Sequence, residues 1–71
     1  MNDLQKLFRI DHVKAKTGLG KSSIYRLMEE DKFPKSVKLT DRSVGWVASE
    51  INEWIEQRIA ERDEANKEGE A

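Results

Sequence analysis

A chain of 71 residues has room for one small domain, since domains run from about 50 to 200 residues and the lower end is marginal in core size. Its composition is 37% hydrophobic and 38% charged, with no cysteine and one histidine, His12; that excludes disulfides, thiolate metal sites and a histidine pair on a metal, and leaves no cofactor, catalytic centre or small-molecule pocket to expect. The net charge of −1 conceals a division: residues 1–47 carry ten basic against six acidic side chains, net +4, and residues 48–71 carry three against eight, net −5, so a polyanion partner suits the first part and solvation the second.

In chain order, residues 4–10 supply only Leu4, Leu7, Phe8 and Ile10 as apolar groups and read as an extended leading segment. Asp11 is a candidate N-cap for a short helix over 12–16, with Val13 inward, Lys14 and Lys16 outward and His12 solvated in its first turn. The run Thr17-Gly18-Leu19-Gly20 then reverses the chain, dropping Leu19 into the core. Ile24, Leu27 and Met28 follow at i, i+3 and i+4, one apolar stripe on a helix over 21–31, and Phe33-Pro34 ends it because proline disfavours helical geometry in the residue before it. Lys21, Ser22, Ser23, Tyr25 and Arg26 concentrate basic and hydroxyl groups on the first two turns of that helix.

Residues 35–47 alternate as a hairpin, with Val37, Leu39, Val44 and Trp46 inward and Lys38 outward. The connection Thr40-Asp41-Arg42-Ser43 lacks glycine, which favours a four-residue loop on a type I turn over a two-residue primed turn, with Arg42 at its tip. Ser49 is the expected N-cap of a third helix over 50–62, whose stripe is Ile51, Trp54, Ile55 and Ile59, and residues 63–71 are expected to fray as a disordered acidic tail.

These parts make a mainly α fold with a small β-hairpin: a winged helix-turn-helix of three helices and a two- to three-stranded wing over residues 1–62. Such a module places its second helix in the major groove of double-stranded DNA, with its N-terminal residues nearest the bases. The candidate DNA-binding set is therefore Lys21, Ser22, Ser23, Tyr25 and Arg26 on the helix, with Lys35, Lys38 and Arg42 on the wing.

The strings Thr17-Gly18-Leu19-Gly20-Lys21-Ser22-Ser23-Ile24-Tyr25-Arg26-Leu27-Met28, Phe33-Pro34-Lys35, Val44-Gly45-Trp46 and Trp54-Ile55, in this order, resemble the AlpA family of prophage-associated transcriptional regulators over residues 9–62. Gly20 stands where that family commonly has serine, and Ser36 where it commonly has proline. The resemblance implies a winged-helix DNA-binding protein, related in fold to MerR-type domains and phage excisionases, that activates or represses genes. The alternatives are an excisionase that bends attachment-site DNA and, from another class, a protein-interaction adaptor using the acidic third helix. A cytoplasmic, nucleoid-associated protein without membrane contact is expected, as no apolar run nears the ~18 residues of a span and the N-terminus lacks signal-peptide order. One module buries only ~600–1,000 Å² on DNA, so copies are expected to associate at adjacent sites.

Overall fold

The computed structural model describes residues 6–69. The elements run β1 (Leu7–Phe8), α1 (Ile10–Thr17), α2 (Lys21–Glu29), β2 (Val37–Thr40), β3 (Ser43–Val47) and α3 (Ala48–Gly69). The strands form an antiparallel sheet of order β1-β3-β2, so the leading segment supplies a third strand to the hairpin and the whole is a winged helix-turn-helix. Positions 4 and 5 of the expected leading segment, and 70 and 71 of the expected tail, lie outside the described residues.

The core is Val13 from α1, Ile24 from α2, Phe33 from the segment after it, Trp46 from β3 and Ile51 from α3. Four of these are fully buried and Phe33 is 5% exposed. At ~1.5–3 kcal/mol for each large apolar side chain removed from water, this cluster is the main cohesive term available to so short a chain. Leu19, Leu27 and Met28 close around it as their spacing predicts. The Trp46 indole N–H is buried with no acceptor among the described residues, a local penalty that the ring's apolar burial offsets.

Several elements differ from expectation for identifiable reasons. α1 begins at Ile10 rather than residue 12, its N-cap is Arg9, and Asp11 instead sits in the first turn, where its charge suits the positive end of the helix dipole. Packing of Ile10 against the core draws the chain from strand into helix at once. α2 ends at Glu29, and its last turn is closed by Asp31 N–H to Met28 O at 3.1 Å and Lys32 N–H to Leu27 O at 2.8 Å, a Schellman closure. Asp31 occupies the left-handed position at φ 61°, where glycine is usual.

The hairpin turn is tighter than expected. Thr40 pairs with Ser43, leaving Asp41 and Arg42 as a two-residue connection. Neither of these two residues has a positive φ, so the turn is not of the primed kind; a register shift between Lys38 and Thr40 takes up the mismatch with the strand twist. The Thr40 and Ser43 hydroxyls meet at 2.6 Å, and the Arg42 N–H donates to Thr40 Oγ1 at 3.2 Å. These side-chain bonds do locally what glycine would otherwise do through backbone freedom.

Val37 and Leu39, expected inward, are exposed. Val37 pairs with Gly45 and Lys38 with Val44, so Lys38 shares the face of Val44 and Trp46 while Val37 takes the opposite one. Helix α3 starts at Ala48 directly off β3, its Ala48 N–H bonding Lys6 O at 2.8 Å, so Ser49 lies inside the first turn and is not the N-cap. It also runs on past Arg62 to Gly69, where a disordered tail was expected. Arg, Glu, Ala and Lys are good helix formers without any apolar stripe, and the Arg58–Glu61 pair at 2.6 Å spans i to i+3. Ile59, expected in the packed stripe, is instead 38% exposed, lining an open cleft with Lys16 and Thr17 at the end of α1.

Candidate nucleic-acid interface

The turn between α1 and α2 aims the second helix. Gly18 takes φ 77° at the C-cap of α1, a conformation that side chains rarely adopt, and its N–H closes the helix on Lys14 O. Thr17 Oγ1 donates to Val13 O at 2.8 Å and accepts the Leu19 N–H at 3.2 Å, tying the turn to the helix before it. Gly20 is the N-cap of α2 in extended backbone, and a Cβ there would meet nothing within 4 Å, so space does not demand glycine at this position.

No side chain caps the N-terminus of α2, and no acidic residue lies in its first turn. Uncapped N–H groups and the positive end of the dipole therefore face outward together, beside the Lys21 ammonium and the Ser22 hydroxyl. Lys21, Ser22, Tyr25 and Arg26 are all exposed, as is Glu29 beyond them. Spacing of i, i+1, i+4 and i+5 puts the four on one helix face, opposite the buried Ile24. Ser23 is half-buried and contributes less to this surface than Ser22.

Two side chains on that face are placed by tertiary contacts. The Tyr25 ring stands edge-on to the buried Trp46 ring, with centroids 6.2 Å apart and planes at 63°. Sheet and helix thus fix the ring of Tyr25 while 37% of the residue remains exposed. Arg26 is exposed and makes no ion pair among the described residues; Glu30, one candidate partner on its own helix, lies 3.6 Å from Lys32 instead.

The three wing cations part company. Lys38 is exposed on the face that also bears Val44 and Trp46, and Arg42 is exposed in the hairpin turn. Lys35 lies at the opposite end of α2 from Lys21: its ammonium donates to Met28 O and pairs with Asp31 Oδ1 at 2.9 Å, so its charge serves the C-terminal end of the helix. Lys14, outside the set expected from sequence, is exposed in the last turn of α1, just ahead of the turn into α2. Its signal in sequence was only an outward register, which solvated lysines share.

Elsewhere the surface offers an open groove of about 750 Å³ between the α2–β2 segment and α3. Phe33, Pro34, Trp54, Glu50, Glu53 and Arg58 are among its lining residues. Trp54 stiffens it: its indole N–H donates to Lys32 O at 2.8 Å, its ring meets Phe33 edge-on at 4.9 Å, and Arg58 lies 5.1 Å from its centroid. Among the described residues no group of three His, Cys, Asp or Glu side chains could hold a metal ion, and no helix is long and apolar enough to cross a membrane.

Comparison with known proteins gives a family match and two relatives. The model of the family described as "Prophage CP4-57 regulatory protein (AlpA)" matches residues 6–59. A protein of Enterobacteria phage P4, "Uncharacterized protein ORF88", is 36% identical over 58 residues, covering 82% of this chain and 66% of its own, slightly under two thirds of the phage protein's length. The "DNA-binding transcriptional activator AlpA" of Escherichia coli is 36% identical over 59 residues, 75% of this chain and 84% of its own. The chain belongs to the AlpA family.

Proposed function

We propose that this AlpA-family chain is a sequence-specific DNA-binding regulator of transcription, seating α2 in the major groove with the wing against the flanking backbone. The observation that carries the reading is the outward face of α2, where Lys21, Ser22, Tyr25 and Arg26 surround an uncapped, acid-free helix N-terminus. Backbone amides, Lys21 and Ser22 take phosphate oxygens, which fixes orientation without selecting sequence. Arg26, unpaired among the described residues, reaches for a base edge, where a guanidinium makes two parallel bonds to guanine. Tyr25, steadied by Trp46, donates its phenol to the backbone, and Arg42 enters the concentrated negative potential of a minor groove. The Escherichia coli relative, a protein named as a DNA-binding transcriptional activator, supports both DNA as partner and transcription as outcome.

A module of this size loads as more than one copy at adjacent sites, because a single interface of ~600–1,000 Å² gives too little affinity alone. The test is amide chemical-shift mapping with a duplex selected from random sequence. Shifts are expected to cluster from Lys21 to Arg26 and around Arg42; clustering over Ile51–Ile59 with Ser22–Arg26 unmoved would overturn the reading.

A further inference from the structure

Glu29, Glu30 and Asp31 stand in a row at the end of α2, and two of the three have lysine partners. Glu30 Oε1 lies 3.6 Å from the Lys32 ammonium, and Asp31 Oδ1 lies 2.9 Å from that of Lys35. Glu29 is exposed and makes no ion pair among the described residues, although Arg26 lies one turn before it on the same helix. Its charge does nothing for the helix either. A carboxylate in the last turn faces the negative end of the dipole, where a cation would be stabilising.

Helix geometry puts this unpaired carboxylate on the surface that the duplex is proposed to meet. At about 100° per residue, the outward residues from Lys21 to Arg26 sweep an arc of roughly 140°, and Glu29 projects near its middle, between Tyr25 and Ser22. The buried Ile24 lies roughly 140° round the helix from it. At ~1.5 Å per residue Glu29 is about 4.5 Å further along the axis than Arg26, against a base spacing of ~3.4 Å, so the two address neighbouring base pairs. An acid in the middle of cations and hydroxyls repels phosphate. It is accommodated in a groove only where donors meet it, because a carboxylate accepts hydrogen bonds and donates none. Major-groove edges offer such donors in two places, the N4 amino group of cytosine and the N6 amino group of adenine. Adenine sets its N7 acceptor beside that amino group, where it opposes a carboxylate; cytosine presents the donor alone.

We propose that Glu29 is a specificity-determining residue that accepts a hydrogen bond from the N4 amino group of a cytosine, next to the base pair met by Arg26. The assignment rests on the placement of α2 in the major groove put forward above, and gives that surface a second base contact of opposite chemistry. Arg26 selects an edge rich in acceptors. Glu29 selects an amino edge and rejects guanine and thymine, whose acceptor atoms would face its charge. The same carboxylate weakens binding to DNA in which no amino group is in place, so it raises the ratio of specific to nonspecific affinity.

Selection of bound fragments from random DNA, with the unsubstituted chain and with variants, tests this. The unsubstituted chain is expected to enrich cytosine about fivefold or more over any other base at one position, within two base pairs of the position whose preference Arg26→Ala relaxes. Glu29→Gln should replace cytosine by adenine at that position alone, because a carboxamide pairs with adenine N6 and N7 together. Glu29→Ala should remove preference there and tighten binding to unselected DNA at low salt. Both variants are expected to keep the melting temperature of the unsubstituted chain by circular dichroism, so that a changed base preference reports the contact and not the fold. If Glu29→Ala tightens every sequence by one factor and keeps the preference, or Glu29→Gln leaves the enriched base unchanged, the assignment is overturned while the DNA reading stands. If the unsubstituted chain enriches no sequence, the DNA reading fails and the assignment fails with it.

Discussion

Arg26 and Lys38 carry the same charge and are both exposed, yet the proposed function gives them different work. Arg26 stands on the α2 face with a planar fork of donors, whereas Lys38 is a point charge on β2. Arg26→Ala is expected to reduce affinity for a selected duplex about tenfold to a hundredfold and to relax preference at one base position, in keeping with ~1–3 kcal/mol for a bidentate base contact. Lys38→Ala should weaken all sequences alike and lower the salt slope by about one. Titration of matched and mismatched duplexes at three salt concentrations separates the two; equal, sequence-independent losses would remove Arg26 as the reader. Tyr25 offers a finer test, because its ring is placed by Trp46 and its hydroxyl is not needed for that contact. Tyr25→Phe should leave thermal stability within ~0.5 kcal/mol and weaken DNA binding several-fold through loss of the phosphate hydrogen bond. A matching loss of stability would show that the phenol serves the fold instead.

At the scale of elements, α2 is closed at one end and open at the other. Its C-terminus is finished by the Schellman bonds and by Lys35, while its N-terminus has no side-chain cap. The closed end contains a correctable strain. Asp31→Gly relieves the left-handed φ of 61° and is expected to raise stability by up to ~1 kcal/mol, even after losing an exposed Asp31–Lys35 pair that contributes little. Chemical denaturation measures this, and a decrease would mean that the ion pair outweighs the backbone term. β3 gives the converse case. Gly45→Ala introduces a Cβ 3.2 Å from Leu39 Cδ1 and 3.3 Å from Phe8 O, and the second of these is backbone in the neighbouring strand. Leu39 can rotate away but the strand must shift, so a loss of roughly 1–2 kcal/mol is expected from denaturation midpoints, and an unchanged midpoint would contradict it.

For the whole molecule, electrostatic division is the organising feature. The basic part contains the α2 face and wing, and α3, at ~1.5 Å per residue, extends roughly 33 Å with its second half in solvent. Residues 63–71 carry four acids and one base, and among the described residues none of the core comes from them. A chain ending at Arg62 should therefore keep its melting temperature within about 2 °C and bind nonspecific DNA more tightly at low salt, because like charge near the duplex has been removed. Retention on heparin measures the second effect. Retention unchanged by the truncation would show that the acidic segment lies too far from the duplex to oppose it.

Much of this architecture was legible from local pattern. The Ile24-Leu27-Met28 stripe, the Gly18 turn and the inward Trp46 follow from periodicity and backbone restrictions that a residue imposes on its own neighbourhood, whereas α2 ends at Glu29 through its Schellman bonds, ahead of the expected stop at Phe33-Pro34. The cationic and hydroxyl cluster from Lys21 to Arg26 was visible for the same reason, since helix spacing alone puts its exposed members on one face. Alternation in Val37-Lys38-Leu39 established that two apolar groups share a sheet face, but not which face the helices cover; that depended on pairing with Val44 and Gly45. The same limit applied to Lys35, whose occupation by Met28 and Asp31 arises from chain reversal after α2, and to Tyr25, whose ring is fixed by a strand twenty residues on. Sequence by itself determined the order of the helices and hairpin, the charge division and the cationic and hydroxyl groups proposed to meet DNA. Tertiary structure alone decided which of them are free to act, because freedom depends on contacts between segments distant along the chain.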